Sequence, residues 1–391
     1  MTGWITSALL LAAAASSAAA QEGTLVVGAA VSQSGAHAGP AEDYRKGLLV
    51  WQDEVNAAGG LLGNRVVLRI EDDGSEAVRA GELYAELIRQ GAQILIGPYG
   101  SAATLTAAAE AERGRRVLLN AAGPSSEIHK RKPQYVFQTV PPYAAYADGA
   151  LWAAREAGVE SLYIAARDDA ASRDMADAVQ TKARAAGIGK VTLDVYSGRT
   201  DDFLPLLYQA MKVNADGWIA YGEARDAAEM VKILKKEGYV PKVVYARAAV
   251  EPRFVKLVGQ DAEFILGSRE YDPRFPTAGN ADFVKAFTAK WSAPPGPLAA
   301  AGYTAGAVLA AGVRRASSVE PQKLRAALAS LQVDTVLGPY RVDPASGAQL
   351  GMKPVLLQIV NGRVQPVWPQ ALAGERSVQP FAPWADRKLL E

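Results

Sequence analysis

From Leu25 onward, short runs of branched apolar residues alternate with longer stretches whose apolar positions recur at helical spacing. Leu25-Val26-Val27-Gly28-Ala29-Ala30 reads as a buried strand, and Val66-Val67-Leu68-Arg69-Ile70 as a second. The pattern between them predicts a helix over about Glu42–Ala58, stopped by Gly59-Gly60. Ala80, Leu83, Tyr84, Leu87 and Ile88 then share one face of a helix that Gly91 ends. Ile94-Leu95-Ile96 and Val117-Leu118-Leu119 are the next strands, with an Ala-rich helix over 102–113 between them. Units of this length match βαβ crossovers in a parallel sheet.

The alternation breaks at Val140-Pro141-Pro142-Tyr143, where two prolines stop any helix and stiffen the connection. It then restarts. Strands at Leu162–Ala165, Val191–Val195, Trp218–Tyr221 and Val243–Tyr245 separate helices near 145–157, 172–187, 202–212 and 225–237. A second irregular stretch, Tyr271-Asp272-Pro273-Arg274-Phe275-Pro276, precedes a helix near 280–291 and a small-residue helix near 299–315. Short strands at Val355–Val360 and Arg363–Val367 lead into a Pro- and Trp-rich tail. Two α/β blocks with proline-bearing junctions imply two lobes joined at a hinge. In such sheets a ligand sits beyond the carboxyl ends of the strands.

Residues 1–20 carry no charged side chain, and Ile5 to Ala20 are apolar or small, ending in Ala18-Ala19-Ala20. This is the pattern of a cleaved secretory signal, too short for a membrane span. A soluble, exported mature protein is expected. The 391 residues include 42 Lys+Arg and 41 Asp+Glu, a net charge of +1. That balance argues against nucleic acid and against a polybasic membrane surface. With no cysteine and two histidines, His37 and His129, thiolate metal sites, cysteine nucleophiles and His-rich metal sites are excluded.

Catalytic signatures are missing. There is no G-x-S-x-G elbow and no phosphate-cradling G-x-x-x-x-G-K-[ST]. Asp72-Asp73, Asp168-Asp169 and Asp201-Asp202 read as caps or solvated loops. His129, in His-Lys-Arg-Lys, reads as a solvated turn, and His37 as a loop residue able to line a cleft. The binding signals are stronger. Gly97-Pro98-Tyr99-Gly100-Ser101 follows a strand and opens a helix, so Ser101 can cap that helix or hold an anionic oxygen. Asn120-Ala121-Ala122-Gly123-Pro124-Ser125 repeats the arrangement, with small residues that let a ligand reach the backbone or simply make a tight turn. Arg247, after the strand at 243–245, suits a bidentate grip on a carboxylate or an ordinary surface role. Tyr99, Tyr143, Tyr221 and Tyr271 lie after strands or at a junction, placed for core packing or for ligand stacking.

Several segments carry a resemblance. They are Gly28-Ala-Ala-Val-Ser-Gln-Ser-Gly35, Asp53-Glu54-Val55-Asn56-Ala57-Ala58-Gly59-Gly60-Leu61-Leu62-Gly63-Asn64, Ile96-Gly97-Pro98 with Ser101 and Thr104, and Asp334-Thr335-Val336-Leu337-Gly338-Pro339-Tyr340. Over about Thr24 to Val360 the chain resembles the periplasmic branched-chain amino-acid-binding proteins, soluble receptors of ABC importers. The resemblance implies a type I periplasmic binding protein fold. Its two lobes, each a mostly parallel sheet flanked by helices, are joined by three crossovers near 141–144, 270–274 and 353–355. Lobe 1 would comprise 21–142 plus 272–354, and lobe 2 would comprise 143–271 plus 355–391. It implies that Ser101, Tyr99 and the backbone at Ala121 contact the ligand.

The departures redirect the ligand. Where the resemblance implies a Thr hydroxyl, the chain has Gly123, and where it implies a Tyr-Gly pair, the chain has Ala171-Ser172. Arg247 occupies the place of the acid that pairs with an ammonium. A small carboxylate without an amino group is therefore expected, possibly dicarboxylic or aromatic, with an amino-acid or amide receptor and a ligand sensor as alternatives. The resemblance further implies a monomeric, non-enzymatic receptor without a cofactor or metal, serving a membrane permease.

Overall fold

A computed structural model describes residues 23–374 and 376–386. The expected signal segment at 1–20 lies outside the described residues. In chain order the elements begin β1 (Gly23–Ala30), α1 (Ala38–Ala57), β2 (Asn64–Glu71), α2 (Ala77–Arg89), β3 (Ile94–Ile96), α3 (Ser101–Gly114), β4 (Leu118–Asn120), α4 (Glu127–Lys130) and β5 (Val136–Gln138). They continue with α5 (Tyr146–Glu156), β6 (Ser161–Arg167), α6 (Ala170–Ala185), β7 (Lys190–Tyr196), α7 (Leu204–Lys212), β8 (Gly217–Tyr221), α8 (Ala224–Lys236), β9 (Val243–Ala246), α9 (Pro252–Val258) and β10 (Leu266–Arg269). The last are α10 (Asn280–Trp291), α11 (Pro297–Ala316), α12 (Pro321–Ser330), β11 (Val333–Thr335), β12 (Gly338–Tyr340), β13 (Val355–Val360) and β14 (Arg363–Trp368).

Two sheets result. The first, in the order β2-β1-β3-β4-β5, is parallel throughout. The second, β14-β13-β10-β9-β8-β6-β7, is parallel from β10 to β7 and antiparallel where β13 joins β10 and β14. Buried on both faces, the inner parallel strands β3, β4, β8 and β9 read as apolar runs, whereas the edge strands β2 and β7 carry polar residues and are part-exposed. β5 and β10 leave little trace in sequence, β5 because only Val136 and Phe137 of it are apolar and β10 because it carries Gly267-Ser268-Arg269.

Each sheet has its own core. Val27, Ile94 and Leu119 pack with Phe283, Val308 and Tyr340, so chain from α10 to β12 completes the first lobe. Its tightest contact is α1 against α11. A β-carbon on Gly47 would stand 1.9 Å from the Ala299 carbonyl, and one on Gly302 2.4 Å from that of Tyr44. The small-residue pattern near 299–315 is thus a packing face. In the second lobe Tyr163, Trp218, Val244 and Phe254 form one layer, and Tyr146, Ile164, Tyr221 and Leu356 the other.

The chain passes between the sheets three times, at 139–143, at 270–271 and at 352–354. Glu270 follows the last residue of β10, while the next residue, Tyr271, is buried in the first lobe and donates a 2.7 Å hydrogen bond to Asn280. At the third passage the Lys353 ammonium lies 2.9 Å from Asp148 of α5, which also pairs with Lys182 at 2.7 Å. Lys182 in turn donates to the Ala144 carbonyl at 3.0 Å, at the end of the first passage.

The acidic pairs stabilise loops. Asp72 accepts from the Gly74 backbone N–H at 2.9 Å, from the Ser34 hydroxyl and from the Gln33 N–H, which pulls its pKa down to about 2. Asp169 caps α6 through the Ser172 N–H at 2.9 Å, and Asp201 pairs with Arg225 at 2.9 Å. His129 departs from expectation. It is 5% exposed, with Nδ1 2.8 Å from the Ser346 carbonyl oxygen and Nε2 3.3 Å from the Asn120 amide nitrogen. The basic flanking residues obscured a side chain that turns inward.

Candidate functional site

A cleft of about 440 Å³ lies between the two sheets, beyond the carboxyl ends of their parallel strands. The first lobe contributes Tyr99 and Gly100 after β3, Ala121, Ala122 and Pro124 after β4, and His37 before α1. The second contributes Ala171 and Ser172 at the start of α6, Gly222 after β8 and Arg247 after β9. The passages add Pro141, Tyr143 and Glu270. Met175, Pro297, Leu298 and Leu337 supply apolar surface.

The turn after β4 shows how the sequence builds one wall. The Asn120 side chain closes it, donating to the Gly123 carbonyl at 2.8 Å and accepting the Gly123 N–H at 2.9 Å. Ala121 and Ala122 are thereby presented to the cleft. Gly123 itself stands behind the wall. A β-carbon there would lie 2.5 Å from the Thr104 hydroxyl oxygen, which leaves no room for the threonine that the resemblance implies.

Arg247 is the one guanidinium or ammonium among the described residues that line the cleft. Its Nη2 lies 3.0 Å from Glu251, and its side chain keeps 31% of its accessible surface. Burial opposes its charge, but Tyr146, Glu251 and Glu270 outweigh burial and hold its pKa above the usual value. Across from it the Tyr146 hydroxyl donates to Glu270 Oε2 at 2.6 Å. Burial, reinforced by Glu270, raises the Tyr146 pKa well above 10, so Tyr146 remains a donor. Burial likewise pushes Tyr143 up to about 12. The Tyr99 ring meets His37 edge-on, with centroids 5.5 Å apart.

Of the sequence-derived candidates, His37, Tyr99, Ala121, Ala122 and Arg247 meet at this cleft. Four others are placed differently. Ser101 is the first residue of α3 and not its cap, which is Gly100 at φ +91°. Its hydroxyl accepts from the Ser125 N–H at 3.3 Å, and it faces an adjoining pocket. Gly123 lies behind the wall. Tyr221 ends β8 with its ring turned into the second lobe, 5.7 Å from that of Tyr245, so its neighbour Gly222 borders the cleft. Tyr271 is in the first lobe's core. Tyr146, Asp169, Met175 and Glu270 were not found from sequence. Tyr146 and Met175 lie on helices, which strand-end reasoning does not reach; Glu270 directly follows β10, a strand with little trace in sequence, and Asp169, two residues after β6, reads only as a cap.

Two α/β sheets, three chain passages and a solute-sized cleft at the strand ends define a two-lobed binding protein. The family model described as "Periplasmic binding protein" matches residues 24–363, and the chain belongs to that family. It is 24% identical over 278 residues to the Leu/Ile/Val-binding protein homolog 8 of Brucella abortus, covering 67% of this chain and 69% of that protein. It is 24% identical over 340 residues to the Leu/Ile/Val/Thr-binding protein of Salmonella typhimurium, covering 80% and 86%. Among solved structures, an ABC transporter substrate-binding protein from Desulfitobacterium hafniense superposes with a TM-score of 0.73 at 26% identity, over 88% of this chain and 99% of that one. Another, from Sphaerobacter thermophilus, gives 0.75 at 21% identity, over 92% and 99%. The fold is the type I periplasmic binding protein fold, and the family's role is solute binding for ABC transporters.

Proposed function

We propose that this chain is exported after removal of residues 1–20 and captures a small carboxylate-bearing solute between its lobes, taken as 21–142 plus 272–354 and 143–271 plus 355–391. As a monomer it delivers that solute, unreacted and without a cofactor, to a membrane permease. The observation that carries this reading is the cleft itself, walled by strand ends of both lobes with one arginine available to a carboxylate. Open and closed forms interconvert, and a solute touching both walls favours the closed one. Arg247 grips the carboxylate, the Ala121-Ala122 backbone and Tyr99 hold the opposite side, and His37 lines the cleft beside Tyr99.

One observation favours a second reading. The Glu270 carboxylate also lines the cleft, held by Tyr146, and can pair with an ammonium. Relatives named for leucine, isoleucine and valine point the same way. The cleft then takes an amino acid, with Glu270 in place of an acid after β9.

A thermal-shift panel of amino acids, their 2-oxo analogues, aromatic acids, dicarboxylates and amides tests both. A ligand at 100 times its dissociation constant stabilises the protein by about 2.7 kcal/mol. For lobes of this size that raises the midpoint by several degrees, at about 2–4 °C per kcal/mol. Shifts with ammonium-free acids alone support the first reading. Shifts with leucine, isoleucine or valine replace it with the second. No shift across the panel overturns both.

A further inference from the structure

Beside the cleft lies a smaller cavity of about 170 Å³, enclosed by the loops after β1 and β2 and by the first turn of α3. His37, Tyr99 and Gly100 wall both spaces. The partition between them is thin. It consists of the edge-on His37–Tyr99 contact and of Gly100, where a β-carbon would meet nothing within 4 Å.

The far side of the cavity is polar, with Ser32, Asp73, Ser75 and Ser101 in its wall. Asp73 is 1% exposed. Its Oδ1 accepts from the Ser32 hydroxyl at 2.6 Å and from the Ser75 N–H at 2.9 Å. Its Oδ2 has no hydrogen-bond partner among the described residues. Two of the nearest hydroxyls cannot supply one, because Ser32 donates to Oδ1 and Ser75 donates to the Ser34 carbonyl at 2.7 Å. A buried carboxylate oxygen without a donor is unfavourable unless something else provides it. A solute that fills the cleft and passes the partition brings its far end to this wall.

We infer that the side cavity is a second compartment of the solute site, which takes the donor-bearing end, an ammonium or a hydroxyl, of an elongated carboxylate. This rests on the proposal that the cleft holds the carboxylate. Arg247 then fixes one end of the solute, its middle passes the open side of Gly100 beside the paired Tyr99 and His37 rings, and Asp73 receives a hydrogen bond from the other end. The solute class is an ω-amino or ω-hydroxy acid, longer than the compact side chain of leucine or valine.

Calorimetric titration of the full chain with ω-amino and ω-hydroxy alkanoic acids of two to eight carbons, beside plain alkanoic acids of the same lengths, tests it. The expected result is that one chain length binds at least tenfold more tightly than its plain counterpart. Asp73→Asn should abolish that gain in the ω-amino series, because Asn keeps the oxygen bonded to Ser32 and Ser75 and puts an amide nitrogen, which an ammonium cannot pair with, where Oδ2 stood. Ala77→Leu, which fills the cavity, should abolish it too and leave the shortest acids unaffected. If short acids bind with no length-dependent gain, or if the gain survives both variants, the cavity holds only water and the inference falls while the cleft reading stands. If no acid of any series binds, both fall together.

Discussion

Tyr146 donates a 2.6 Å hydrogen bond to Glu270, joining the first helix of the second lobe to the passage between the lobes. The two residues are 124 positions apart in sequence, and both face the cleft. The bond fixes the position of a carboxylate that lines the cleft. Glu270→Gln keeps the shape and removes the charge. A solute that presents an ammonium there should bind at least tenfold more weakly, about 1.4 kcal/mol. An ammonium-free acid should bind equally or more tightly, since repulsion is relieved. Titration calorimetry of wild type and variant with one solute of each kind reads the difference.

Arg247 offers the complementary experiment. If Arg247 holds the solute's carboxylate as proposed, Arg247→Glu sets a like charge against it, so affinity should fall by several kcal/mol, roughly the cost of an uncompensated buried charge. Unchanged affinity in a folded variant would remove Arg247 from the site.

Gly123 is set by space. Gly123→Thr drives a side chain into Thr104 and Asn120, with the β-carbon 2.5 and 2.9 Å from their oxygens. Overpacking of this kind costs about 1–3 kcal/mol. The midpoint of thermal unfolding should drop accordingly, and the displaced Ala121-Ala122 wall should weaken binding as well. A variant as stable as wild type would show that the turn gives way at little cost.

His129 makes the same turn sensitive to pH. Burial lowers its pKa below the ordinary 6.5, against a smaller opposing effect of the Ser346 carbonyl. The neutral ring donates from Nδ1 to Ser346 and turns its Nε2 to the Asn120 amide. A base with a depressed folded-state pKa contributes stability that is full above its unfolded value and is lost as pH falls. Protonation would set an N–H against the Asn120 amide and disturb the turn that Asn120 closes. Unfolding midpoints of wild type should therefore decline relative to His129→Gln between pH 7 and pH 5. Parallel curves would contradict this.

Asp148 holds two of the three passages to the second lobe, through Lys353 at 2.9 Å and through Lys182 at 2.7 Å. Burial pushes its carboxyl up, but the two ammonium groups prevail and keep its pKa below the usual 3.8. The stability it contributes is full above that value and is lost as pH falls below it. Both lysines are 42% exposed, so solvent screening limits the contribution to about 1 kcal/mol. Asp148→Asn should lower the midpoint by a few degrees in low salt and by less in 1 M salt. A salt-independent loss would mean that packing matters here more than charge.

The fold was legible where strands are long and branched. Leu162 to Ala165 announce themselves because parallel strands buried on both faces are apolar throughout, while Val66 to Ile70, on an edge strand, are legible from their branched residues although only Val66 is buried. α12 was missed although its start signal is present, with Glu320 accepting the Gln322 and Lys323 N–H groups at 3.0 Å. In the site, residues just after strands could be found because that is where such sheets bind ligands, and Tyr99, Ala121 and Arg247 lie there. Side-chain direction was not legible. Tyr221 ends a strand on the buried side, and the glycine beside it faces the cleft. Glu270 and Tyr146 meet only once α5 packs beside β10 in the second lobe, and no spacing along the chain encodes that encounter.

Glu270 and Tyr271 are neighbours in the chain, yet one lines the cleft and the other is locked into the first lobe. Between them there is no spacer, so if Glu270 contacts the solute, recognition and closure share a single peptide unit. A change that retunes what Glu270 accepts should then also change how readily the lobes come together. Variants selected for a new solute at this position should therefore inherit a new resting balance between open and closed forms.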